Sequence, residues 1–93
     1  MTTEVRLTGM YGIEGAVTGL SCSTIKELET AILAGKYPAY CMATAKGNLT
    51  VWKCKGRWSC ESNVYRKMEN GANGLTLVKL LEWARKWAKE FKV

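Results

Sequence analysis

The chain has 93 residues, 47% of them apolar and 24% charged, with a formal net charge of +6. That length and composition predict one small domain, 1–93, with a thin core. It contains four Cys but neither His nor Asp, which excludes Ser-His-Asp and Cys-His catalysis, most Mg²⁺-dependent phosphoryl transfer and mixed Cys/His zinc sites.

The first residues, Met1 to Arg6, show no basic region followed by an apolar run, so they do not read as a secretory signal. No stretch approaches the ~18 apolar residues of a membrane span. The expectation is an intracellular, cytoplasmic protein with reduced thiols. Gly9, Gly12, Gly15 and Gly19 recur among Val5, Leu7, Ile13, Val17 and Leu20. This predicts a hairpin, Val5–Gly12 and Ala16–Leu20, turning at Glu14-Gly15.

Thr24 with Glu27 three residues later reads as a capping box that opens a helix. Ile25, Leu28, Ala31 and Ile32 give that helix one apolar stripe, Gly35 stops it, and Pro38 keeps it stopped. A three-strand meander is predicted next: Tyr40–Ala45, a turn at Lys46-Gly47-Asn48, Leu49–Cys54, a turn at Lys55-Gly56, and Arg57–Ser62 or slightly beyond. A two-residue turn at Lys55-Gly56 pairs Cys54 with Arg57, Trp52 with Ser59 and Val51 with Cys60. Strand alternation then sends Trp52 and Trp58 to opposite faces, and Cys54 and Cys60 likewise. One indole can be core; the other must be covered by something else or stand exposed. Val64–Met68 fits a strand end or a helical turn, and Asn70-Gly71 with Asn73-Gly74 reads as a turn-prone linker. From Leu75 or Thr76 to Phe91, Leu77, Leu80, Leu81, Ala84, Trp87, Ala88 and Phe91 fall at helical spacing. Trp83 sits at the edge of this stripe.

The expected fold is α+β: a two-layer sandwich with an antiparallel sheet of about four to five strands and a long C-terminal amphipathic helix packed on one face. The order helix, three strands, helix resembles the double-stranded-RNA-binding domain, and strand, helix, meander, helix resembles half of a TATA-binding protein. Both resemblances are of order. Where the RNA-binding family carries a Lys-rich motif at the start of its last helix, this chain has Gly74-Leu75-Thr76-Leu77-Val78, with Lys79 alone.

The charge is unevenly placed. Residues 46 to 93 hold eleven Lys or Arg against four Glu, and all four Trp. Cations interleaved with flat rings suit a polyanion whose bases can stack, or an acidic protein surface. The sharpest local cluster is Trp52-Lys53-Cys54-Lys55-Gly56-Arg57-Trp58. The functional expectation is therefore a small non-enzymatic binding module that contacts nucleic acid through Lys53, Lys55, Arg57 and Trp58 of the hairpin, with Arg66, Lys67 and Lys86 as phosphate contacts. The alternative is a protein-binding inhibitor or adaptor, of the kind mobile elements encode, using the same surface on an acidic or nucleic-acid-binding protein. A third reading, an enzyme using Glu and Cys, is disfavoured by the missing His and Asp; a homodimer is a possible state of the module, because so small a core gains from added burial. Without a Cys-x-x-Cys pair, Cys22, Cys41, Cys54 and Cys60 read as free buried or edge thiols rather than metal ligands, and no cofactor is expected. Cys54, between two lysines, is the one thiol whose position suggests reactivity, but no base stands beside it in the sequence.

Overall fold

The computed structural model describes residues 2–64 and 70–91. The elements run β1 (Thr3–Leu7), β2 (Val17–Cys22), α1 (Ile25–Ala34), β3 (Ala39–Thr44), β4 (Gly47–Cys54), β5 (Arg57–Val64), β6 (Asn70–Leu75) and α2 (Leu77–Phe91). All six strands form one sheet in sequence order. Every neighbouring pair is antiparallel except β2 and β3, which run parallel with α1 as their crossover. The class is α+β as expected, but the sheet has six strands and is mixed. The inserted β6 and the parallel β2–β3 pair also depart from the two element orders that the sequence resembled.

Local chemistry explains α1. The Thr24 hydroxyl accepts from the Glu27 N–H at 3.1 Å, and the Glu27 carboxylate accepts from the Ser23 N–H at 2.9 Å. The box therefore closes one residue further back than the usual capping box. At the other end Gly35 is left-handed (φ 68°) and donates to the Ala31 carbonyl, the stop that glycine makes without strain. Leu28 and Ile32 are buried.

The main core lies on the helix side of the sheet. Cys22, Leu28, Ile32, Tyr40, Met42, Leu49, Val51, Trp58 and Cys60 pack with Leu80, Ala84, Trp87 and Ala88 of α2. Fully burying side chains of this size stabilises the fold by about 1.5–3 kcal/mol each. Tyr40 is fully buried, and its hydroxyl is satisfied by the Tyr37 N–H at 3.1 Å. Between the helices, the Arg85 guanidinium grips the Glu29 carboxylate at 2.6 and 3.2 Å.

The opposite face of the sheet carries a second, smaller core. Met10, Ala39 and Trp52 are buried there, with Leu7, Ile13, Val17 and Cys54 packed around them. The chain between β1 and β2 supplies this cover. β1 and β2 pair antiparallel as predicted, but the turn at Glu14-Gly15 is corrected to a nine-residue loop, residues 8–16. Gly9, Gly12 and Gly15 have φ of 76°, 81° and 71°, values a strand cannot use. They turn the loop so that Met10 reaches Trp52.

Two further predictions are corrected. The turn before β4 is Ala45-Lys46, with Gly47 already in the strand. The Thr44 hydroxyl accepts from the Lys46 and Gly47 N–H groups and donates to the Gly47 carbonyl. The Asn70–Leu75 stretch, read as a linker, is the edge strand β6. The lack of a side chain at Gly71 is what admits it: a Cβ there would stand 2.6 Å from the Cys60 carbonyl oxygen, beside a register irregularity between Trp58 and Cys60. The alternatives for Val64–Met68 fall outside the described residues except at Val64, which ends β5.

Candidate functional site

The β4–β5 hairpin forms as its sequence dictates. Cys54 pairs with Arg57, Trp52 with Ser59 and Val51 with Cys60. Lys55 and Gly56 take φ of 52° and 78°, the two positive values that a tight two-residue turn needs. Trp52 and Trp58 go to opposite cores, so the indole left over on the sheet's far face is the one sealed by the β1–β2 loop.

The hairpin cations do not share one face with an open indole. Lys53 pairs across the hairpin with Trp58 on the helix side, its ammonium 5.9 Å from the ring centroid, within range of a cation–π contact. Arg57 pairs with Cys54, and alternation starts its side chain on the other side, although at this end of the hairpin the residue also lines the groove on the helix side. Lys55 stands at the tip. Trp58, expected as a stacking surface, is only 8% exposed. Tyr40 lies against it at 6.3 Å between centroids, and Tyr37 meets Tyr40 edge-on. Trp52 and Trp87 are buried too, and Trp83 is half-buried. Indole stacking on a base is therefore corrected: the rings serve as core. Lys86 is exposed on α2 and is not among the residues lining the groove at the hairpin end. Arg66 and Lys67 lie outside the described residues.

The hairpin end is nevertheless where surface features concentrate. A groove of ≈ 500 Å³ runs between it, the end of α1 and the start of α2. Ile32, Leu33, Gly35, Lys53, Gly56, Arg57, Trp58, Thr76 and Leu77 line it. Four large apolar side chains stand exposed among the described residues: Tyr11, Leu33, Leu77 and Val78. Leu33 and Leu77 line this groove, and Val78 follows Leu77. Its charged lining residues are both cations. Thr76 caps α2 there, its hydroxyl accepting from the Lys79 N–H at 3.3 Å. The first turn of α2 has no acidic residue, so the helix dipole adds to the positive character.

Sequence reasoning did not single out Leu33, Leu77, Val78 or Tyr11 as surface residues. Leu77 and Val78 belong to a helix whose apolar spacing predicts core, yet both stand exposed in its first turn. A further hollow of ≈ 530 Å³ lies between β2 and α1, lined by Leu20, Thr24, Ala31 and Ala34 among others. Its charged neighbours, Lys26 and Glu27, cancel, so it selects no charge in a partner.

Cys22, Cys41, Cys54 and Cys60 are free thiols. Cys54 is part-buried in the smaller core, its sulfur 3.8 Å from the Gly12 carbonyl oxygen. Burial pushes the Cys60 thiol up to about 11 and, with help from Glu27, also raises Cys22. Among the described residues, no group of His, Cys or Glu is arranged to hold a metal ion, and no helix is long and apolar enough to cross a membrane. Neither a family model, nor a curated protein, nor a solved structure matches the chain.

Proposed function

We propose that the chain is a non-enzymatic binding module whose partner is a protein segment that docks in the groove at the hairpin end. One observation carries this: of the four large apolar side chains exposed among the described residues, Leu33 and Leu77 line one groove, whose charged lining residues, Lys53 and Arg57, are both cations. Contiguous exposed apolar surface with a polar rim is the common mark of a protein interface. The occupant this favours is an acidic segment with two or more aliphatic side chains. Its side chains would rest on Leu33, Leu77, Val78 and the edge of Trp58, and its carboxylates would face Lys53 and Arg57. Lys55 at the hairpin tip adds long-range attraction. The lack of His and Asp supports a binding role over catalysis.

The test is selection of a displayed random-peptide library on the immobilised chain, with counter-selection on a variant carrying Leu33→Asp and Lys53→Glu. Enrichment of acidic, Leu- or Ile-bearing peptides that lose binding to either single variant supports the proposal. Peptides that bind both proteins equally, or no enrichment at all, overturn it.

A further inference from the structure

Tyr11 is the fourth exposed large apolar side chain and lies apart from the groove. It is 76% exposed, yet the backbone that carries it is held at three points. On one side Met10 is buried against Trp52 and Ala39. At Tyr11 itself, the backbone carbonyl accepts from the Trp52 indole N–H at 2.9 Å. On the other side Gly12 presses on Cys54, so closely that a Cβ there would stand 2.5 Å from the sulfur. Left-handed Gly9 and Gly12 bracket the pair and let Met10 point inward while its neighbour points outward. A flat ring on a fixed backbone loses little freedom when it binds.

The position of that ring matters. Gly12 touches Cys54, which precedes Lys55 and pairs with Arg57. The backbone that carries Tyr11 is thus brought to the hairpin end that bears Lys55 and Arg57. A displayed ring beside two cations is what single-stranded nucleic acid requires: a base stacks on the ring and the flanking phosphates meet the cations. We infer that this chain holds a single-stranded nucleic acid segment through Tyr11, Lys55 and Arg57. The site takes the stacking role that buried Trp58 cannot fill, and of its residues only Arg57 also lines the groove. Glu14, exposed in the same loop, opposes the phosphates and tunes the affinity downward.

The experiment titrates fluorescein-labelled oligo-dT and a mixed-sequence duplex of equal length into the chain at low salt, following anisotropy. Wild type should bind the single strand more tightly, with affinity falling steeply as salt rises. Tyr11→Ala should weaken single-strand binding by about 5- to 100-fold, in line with the loss of one stacked base. Tyr11→Phe should keep it, and Glu14→Gln should tighten it. Circular dichroism checks that each variant folds, which the exposure of the Tyr11 ring makes the expected result. Leu33→Asp should leave oligonucleotide binding unchanged, so failure of the groove proposal and failure of this one read out separately. No binding by wild type, equal binding by Tyr11→Ala, loss in Tyr11→Phe as well as Tyr11→Ala, or preference for the duplex would each overturn the inference.

Discussion

Gly12 and Gly15 lie in the same loop and are both left-handed, but they differ in what surrounds them. A Cβ at Gly15 meets nothing within 4 Å, whereas one at Gly12 would collide with the Cys54 sulfur at 2.5 Å. Gly15→Ala should therefore cost only the conformational penalty, about 1 kcal/mol, while Gly12→Ala should add a packing cost of about 1–3 kcal/mol. Urea melts of the two variants check this, and equal losses would mean that the loop yields at Gly12. Cys60 offers a pH-dependent counterpart. Its thiol is raised by burial from 9.0 to about 11, against a small opposing pull from a backbone contact with Ala72. The folded state thus keeps a proton that the unfolded chain gives up. The stability contributed is complete below pH 9 and is lost as pH climbs through 11, by no more than about 3 kcal/mol. Cys22, raised mainly by burial, pushes the same way. Thermal melts from pH 8 to 11 should show a falling melting temperature, with a shallower fall in Cys60→Ala. An unchanged slope in that variant would assign the loss to other groups.

Among the elements, α1 and the β4–β5 hairpin were readable from sequence because local chemistry alone decides them. Thr24 has its acceptor role fixed by spacing to Glu27, and Lys55-Gly56 has its register fixed by turn length. Thr24→Ala should thus lower stability by about 1 kcal/mol, with Thr24→Ser recovering most of it; a loss confined to other positions of α1 would refute the cap. The β1–β2 loop and β6 were not readable, and the reason is shared. Gly12 and Gly71 have no side chain to reveal their environment, and each is chosen by a distant contact, Gly12 with Cys54 and Gly71 with the Cys60 carbonyl, while the loop itself is seated by Met10 against Trp52. Glycine in a sequence licenses a turn, a bulge or a close approach without saying which. The candidate site divides the same way. Lys53, Lys55 and Arg57 were legible as a cationic hairpin. The burial of Trp58 was not, because it depends on Tyr40 lying against it in a core assembled from distant parts of the chain.

Taken whole, the molecule is a sheet with a core on each side, and the two cores differ in what holds them. The helix-side core draws on both helices and four strands, whereas the far-side core rests on one loop seated by Met10. The smaller core therefore opens at lower free energy than the global fold. This asymmetry couples directly to recognition, since the same loop presents Tyr11. Met10→Ala removes the seated side chain without touching any residue proposed to contact a ligand. We expect it to raise the rate at which a thiol reagent modifies Cys54, because Gly12 no longer covers the sulfur. It should leave the modification of Cys60 slow, because the helix-side core persists. It should weaken oligo-dT binding toward the level of Tyr11→Ala, since an untethered ring must be ordered on binding, while selected peptides still bind the groove with wild-type affinity. If Cys54 becomes reactive and oligonucleotide affinity does not fall, the fixed presentation of Tyr11 contributes nothing and the loop is cover alone.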